Sequence, residues 1–202
     1  YKFVIRSNTV GNSFLAVYAD DFIAGFQYKE DAERYYALLK ERLKKFNLEL
    51  EESKSRMIEF GKYAEINSKR KYGRKAETFN FLGFTLYCGK SRHSGEFCVK
   101  LKTNSKKFTQ KLKQTKEWLY QNNDLPVKKL ITRLNKKLVG HYRYYGVSHN
   151  INKLSAFLHY VQRYLFKVLN RRSHKKSYTW DGYIDMLKVY PLAKPKIYVK
   201  LF

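Results

Sequence analysis

Tyr18-Ala19-Asp20-Asp21 stands between two apolar, β-prone runs, Phe14-Leu15-Ala16-Val17 before it and Phe22-Ile23-Ala24-Gly25-Phe26 after it. The pattern predicts a strand-turn-strand unit with the two acids at its tip. Neighbouring carboxylates repel, and a pair wedged between hydrophobic strands is costly unless something neutralises it. A hard divalent cation with oxygen ligands does so, and magnesium is the expected ion. Two such ions held by carboxylates support an in-line phosphoryl transfer. An Asp-Asp turn with both side chains in solvent is the alternative that a four-residue match leaves open.

Composition points the same way. The chain has 202 residues and a formal net charge of +25, with 42 Lys or Arg against 17 Asp or Glu. Solubility needs a net charge of only about 2 to 8, so the excess implies a polyanionic partner, nucleic acid by default. The excess is also uneven: residues 1–60 hold 10 cations and 10 acids, and residues 61–202 hold 32 against 7. Cys88 and Cys98 lack CxxC or His spacing, which predicts two reduced thiols in a cytosolic protein rather than a zinc site or a disulfide framework. No apolar run approaches 18 residues and no signal peptide is legible, so no membrane association is expected. The chain starts at Tyr1 inside a strand-like segment, Tyr1-Lys2-Phe3-Val4-Ile5, and is expected to be part of a longer protein.

Beyond the acidic tip, Ala32, Tyr35, Tyr36, Leu39, Leu43 and Phe46 recur at helical intervals. Acids in the first turn and bases in the last suit the helix dipole, and Asn47 is the expected stop. Residues 48–50 and 57–60 read as short strands around a polar turn with Lys54 at its tip. Residues 61–76 read as a basic loop centred on Lys69-Arg70-Lys71-Tyr72-Gly73-Arg74-Lys75. Phe79-Asn80-Phe81-Leu82-Gly83-Phe84-Thr85-Leu86-Tyr87 reads as a strand whose central glycine marks a bend or a close backbone approach. Residues 89–95 form the expected turn and 97–101 the returning strand.

From Asn104 the period turns helical. A helix over 105–121 carries Lys106, Lys107, Lys111, Lys113 and Lys116 opposite Phe108, Leu112, Trp118 and Leu119. Pro126 opens a second, with a stripe from Val127 to Tyr145 and Gly146 as its end. A third follows Asn150 or Asn152. Three consecutive amphipathic helices imply a small bundle. A basic loop over 171–177, a short helix from Trp180 to Leu187 and an extended end complete the chain.

These residues resemble the reverse transcriptase-maturases of bacterial group II introns along nearly the whole chain. Tyr18-Ala19-Asp20-Asp21-Phe22 is similar to the family's YADD box in the palm, and 48–54 to its next block. Phe81-Leu82-Gly83-Phe84 is similar to the block that forms the primer grip. Leu138-Val139-Gly140-His141-Tyr142-Arg143-Tyr144-Tyr145-Gly146, and later Leu169-Asn170-Arg171-Arg172-Ser173 with Trp180, resemble the thumb and maturase segment. Four blocks in order are far more specific than one.

The resemblance implies that Asp20 and Asp21 are catalytic and hold two Mg2+ ions, that Lys54 approaches the incoming dNTP, and that Phe81, Leu82, Gly83 and Phe84 grip the primer. Lys69, Arg70, Lys71, Arg74 and Lys75, then Lys106, Lys107 and Lys111, and finally Arg171, Arg172, Lys175 and Lys176 would contact phosphates. Arg143 and Tyr144 face away from the apolar stripe, where Tyr144 could stack on a base. Tyr142 and Tyr145 belong to the core, and no histidine is assigned a catalytic role.

Two-metal polymerases need a further aspartate, which this family carries in an earlier palm strand. Residues 1–17 contain no Asp, so the isolated chain is expected to lack that ligand and the fingers, and to be inactive alone. The expected fold class is α+β, with the C-terminal part of a palm over 1–103 and an α-helical thumb and maturase domain over 104–202. The implied function is RNA-directed DNA synthesis in the bacterial cytoplasm, with an RNA template, a DNA primer, dNTPs and group II intron RNA as partners. A non-catalytic RNA-binding splicing factor, or a reverse transcriptase of the same lineage used in CRISPR adaptation or phage defence, remains open.

Overall fold

A computed structural model describes residues 9–91, 94–172 and 178–201. The chain divides into two compact units, Tyr1–Glu59 and Phe60–Phe202. The strand expected at 1–5 lies outside the described residues.

In the first unit, the apolar runs flanking the acids pair as antiparallel strands β1 (Ser13–Tyr18) and β2 (Asp21–Phe26), in a register running from Ser13 opposite Phe26 to Tyr18 opposite Asp21. Helix α1 (Lys29–Lys44) follows at once and packs on β2 through Phe26 and Tyr35, whose rings are 5.1 Å apart. Asp31 in its first turn is 2% exposed. Its carboxylate accepts the backbone N–H groups of Val10 and Gly11, each at 3.0 Å, and so fixes the entry to β1. Asn47 stops the helix region with a left-handed φ of +54°. The strands expected at 48–50 and 57–60 do not form. A strand persists only where its N–H and C=O groups find a ladder; here the Leu48 N–H turns back to the Leu43 carbonyl, and those of Lys54 and Ser55 to Glu51. Lys40 and Glu52, 2.6 Å apart, tie this turn to α1.

The second unit opens with a helix. The expected basic loop at 61–76 contains helix α2 (Ala64–Tyr72), ended by Gly73 in the left-handed conformation. The helix buries only Ala64 and Ser68, one turn apart, and leaves Ile66 65% exposed, so it shows no apolar stripe from which to read it. The single strand expected at 79–87 is instead a hairpin, β3 (Phe79–Phe81) and β4 (Phe84–Lys90), with Leu82 and Gly83 as its two-residue turn. β5 (Phe97–Thr103) pairs antiparallel with β4 to complete a three-stranded sheet in the order β3-β4-β5. Cys88 and Cys98 are free and half-buried, and burial pushes the Cys88 thiol above its ordinary pKa.

The helices follow the predicted periods: α3 (Ser105–Gln121), capped by the Asn104 side chain, α4 (Val127–Tyr145), α5 (Ile151–Leu169) and α6 (Trp180–Val189). Their stripes form one core in which Leu119, Leu130, Leu134, Tyr142, Leu154 and Tyr183 are fully buried. Fully burying a Leu-sized side chain contributes about 1.5–3 kcal/mol, so this cluster dominates the stability of the unit. The C-terminal segment runs back along the corner after α4, where Gly146 offers its carbonyl to the N–H groups of Tyr198 and Val199. Antiparallel sheets with separate helices make the chain α+β. Among the described residues no helix is long and apolar enough to cross a membrane.

Candidate active site and nucleic-acid surface

The β1–β2 register puts Ala19 and Asp20 in a two-residue turn, with Asp21 as the first residue of β2. Ala19 holds a φ of +50°, a conformation that costs an L-residue with a Cβ about 1–2 kcal/mol. Both acids are exposed, and neither carboxylate has a hydrogen bond or ion pair among the described residues. Nor is there, among those residues, any cluster of three or more His, Cys, Asp or Glu side chains. Mg2+ binds through one or two carboxylates completed by water and substrate phosphates rather than in an all-protein cage. The hairpin tip offers that donor set: two hard oxygen groups, open to solvent, with no competing cation among the described residues.

Lys54 lies in the turn that follows α1, where its N–H donates to the Glu51 carbonyl at 3.0 Å. The Ser53 hydroxyl bonded to the Glu51 carboxylate, with the Lys54 ammonium nearby, holds that carboxyl below the usual range. Among the described residues no hydrogen bond or ion pair joins Lys54 to Asp20 or Asp21.

The Phe81-Leu82-Gly83-Phe84 block makes a tight backbone turn. Leu82 and Gly83 both have positive φ, +48° and +76°, the signature of a type I′ hairpin turn. The Tyr144 hydroxyl donates to the Leu82 carbonyl at 3.0 Å, and the Asn104 N–H to the Gly83 carbonyl at 2.9 Å. Phe84 is buried against Tyr144, with ring planes 10° apart, and against Tyr145, edge-on at 5.2 Å. The expected strand interior is thus a turn clasped from beneath by the end of α4.

Cations coat the helices. Residues 127–145 hold six Lys or Arg and no acid, and 151–169 hold three and no acid. Lys106, Lys107, Lys111 and Arg143 are exposed on α3 and α4. Lys111 and Lys137 line a cavity of about 80 Å3 with Gln114, Thr115, Leu138 and Phe157. Arg171 lies over the Tyr120 ring at 5.3 Å, while Arg172 is half-buried and donates to Asn123 at 3.2 Å, its pKa lowered by burial. Lys69, Arg70 and Lys71 occupy the last turn of α2, Arg74 lies 3.6 Å from Glu77, and the Lys75 carbonyl accepts from Ser68. Lys175 and Lys176 lie outside the described residues.

Two family comparisons bear on this arrangement. Residues 2–86 match the model described as reverse transcriptase (RNA-dependent DNA polymerase). Residues 105–183 match the group II intron, maturase-specific domain. The chain belongs to the group II intron reverse transcriptase/maturase family. Comparison with curated proteins and with solved structures returned no match. The reverse transcriptase match ends inside β4 and the maturase match begins with α3, so β5 joins the two.

Sequence reasoning missed the polar residues that fasten this maturase together. Asn150, read as one of two possible helix starts, is fully buried; its side chain accepts the Thr103 N–H and donates to the Thr103 hydroxyl and the Tyr145 carbonyl, all at 2.8 Å. Asp31 was legible as an acid in a first helical turn, though not as the anchor of Val10 and Gly11. Tyr144, expected to face outward, does remain 56% exposed while its hydroxyl is committed to Leu82.

Proposed function

We propose that the protein is an RNA-directed DNA polymerase that extends a primer 3′-hydroxyl with dNTPs on an RNA template, and that it binds group II intron RNA to assist splicing. The observation that carries this reading is the pair of exposed carboxylates, without a hydrogen bond or ion pair among the described residues, at the tip of an antiparallel hairpin, in a chain whose net positive charge lies entirely outside residues 1–60. A protein that only binds RNA gains nothing from two acids held at one turn.

In this reading residues 1–103 act as palm and 104–202 as thumb and maturase domain. Asp20 and Asp21 hold Mg2+, which when bound stabilises the charge on the attacking and leaving oxygens of phosphoryl transfer. Asp20 and Asp21 contribute only oxygen ligands, and the tip stays open to water and phosphate. Lys54 places a point charge toward the triphosphate of the incoming dNTP. The Leu82–Gly83 turn seats the primer end, and the cations of α2, α3 and α4 and the Arg171–Arg172 pair hold phosphates without reading sequence.

Primer extension by the full-length protein on an RNA template with Mg2+, wild type against Asp20→Ala, tests the reading. Synthesis by wild type that the substitution abolishes is the expected result. If neither protein extends a primer while both bind structured RNA tightly at low salt, the catalytic reading falls and a non-catalytic RNA-binding maturase takes its place.

A further inference from the structure

We infer that Tyr144 is a positioning residue for primer extension: from the end of α4 it latches the Leu82–Gly83 turn in the shape the primer end requires. The inference rests on the polymerase reading above and adds a residue and a mechanism to it.

The argument starts at Leu82. A non-glycine residue at φ +48° is strained, and strain of this kind persists only where the surroundings over-determine it. Three surroundings do so here. The Tyr144 hydroxyl holds the Leu82 carbonyl at 3.0 Å. The Asn104 N–H holds the Gly83 carbonyl at 2.9 Å. Tyr145 fills the space beside Gly83 so closely that a Cβ on that residue would lie 2.9 Å from its hydroxyl oxygen.

The latch is itself anchored. Asn150 joins the Tyr145 carbonyl to Thr103 at the end of β5, and Asn104, the next residue, both caps α3 and bonds the side chains of Asn80 and Thr85 on the hairpin. The turn, the end of α4, the α4–α5 corner and the start of α3 therefore close a ring of hydrogen bonds. Tyr144 is the member that can be altered without opening the core: the residue is 56% exposed, and its hydroxyl supplies the bond to the Leu82 carbonyl. A misplaced reacting group loses rate steeply, roughly a hundredfold for about 1 Å, so a loosened turn acts on turnover rather than on RNA affinity.

The test is Tyr144→Phe in the full-length protein, which keeps the ring against Phe84 and removes the latch. Three readouts are needed: steady-state primer extension, affinity for structured RNA, and hydrogen exchange at the Asn104 amide. The expected result is a kcat lowered roughly ten- to a hundredfold, unchanged RNA affinity and melting temperature, and faster exchange at Asn104. Wild-type kcat in Tyr144→Phe, or exchange at the wild-type rate, overturns the inference. So does a loss of extension that only parallels a loss of RNA affinity or melting temperature. A wild type that extends no primer overturns the polymerase reading and the inference with it, whereas a variant that matches an active wild type overturns the inference alone.

Discussion

His141 is 5% exposed, stacks on Phe157 at 4.0 Å, and has a partner for neither ring nitrogen among the described residues. Burial, aided by the nearby Lys111 cation, pushes its pKa down to about 4 from an ordinary 6.5. The folded protein therefore refuses a proton that the unfolded chain accepts between those values. Stability is full above pH 6.5, falls as the pH drops toward 4, and levels below it. The loss amounts to about 3 kcal/mol, because a tenfold difference in proton affinity between the folded and unfolded chain is worth about 1.36 kcal/mol. Denaturant unfolding across this range should show the fall in wild type and not in His141→Phe. Replacing an unpaired polar ring by an apolar one of similar shape is nearly neutral or stabilising, so the variant should be no weaker at neutral pH. A slope that survives the substitution would assign the pH dependence to another group.

At the scale of elements, two glycines six residues apart have opposite roles. Gly140 is exposed within α4, and a Cβ there meets nothing within 4 Å. Gly146 closes the same helix, where a Cβ would collide with the Tyr142 carbonyl and lie 2.6 Å from that of Lys196. Gly140→Ala should stabilise by roughly 0.5–1 kcal/mol through helix propensity, and Gly146→Ala should destabilise by about 1–3 kcal/mol through overpacking. Thermal unfolding of the two variants checks both signs. The same contrast marks what could be read in the sequence. Helices α1, α3, α4 and α5 were legible because their apolar stripes bury one face, and the β1–β2 hairpin because apolar runs flank a polar turn. Helix α2 was not, since a surface helix burying only Ala64 and Ser68 has no stripe. The strands at 48–50 and 57–60 carried the composition of strands with no ladder to join. In the Phe81–Phe84 block the glycine was visible, but the partners that make it a turn, Tyr144 and Asn104, are far along the chain. The acidic pair was legible at its hairpin tip because two adjacent carboxylates between apolar runs are rare and local.

For the molecule as a whole, charge decides how it meets RNA. The cations of α3, α4 and α5 face a single acid, Glu117, on those three helices, so little within the bundle competes with a phosphate. Affinity for structured RNA should fall steeply with salt, and each phosphate-contacting Lys→Ala should lower the slope of log K against log salt by about 1 while weakening all RNA sequences alike. Filter binding of Lys107→Ala and Lys111→Ala at several salt concentrations measures this, and an unchanged slope would remove either residue from the interface. The Thr103–Asn150 bond has a consequence of another kind, because it joins residues 47 positions apart. At about 5–20 residues per second on the ribosome, β5 is synthesised roughly 2 to 9 seconds before the asparagine that closes its end. Throughout that interval water must satisfy the Thr103 amide and the strained Leu82 turn has no tyrosine beneath it. The hairpin in the reverse transcriptase match therefore waits for the residues of the maturase match to be translated before its Leu82–Gly83 turn can set.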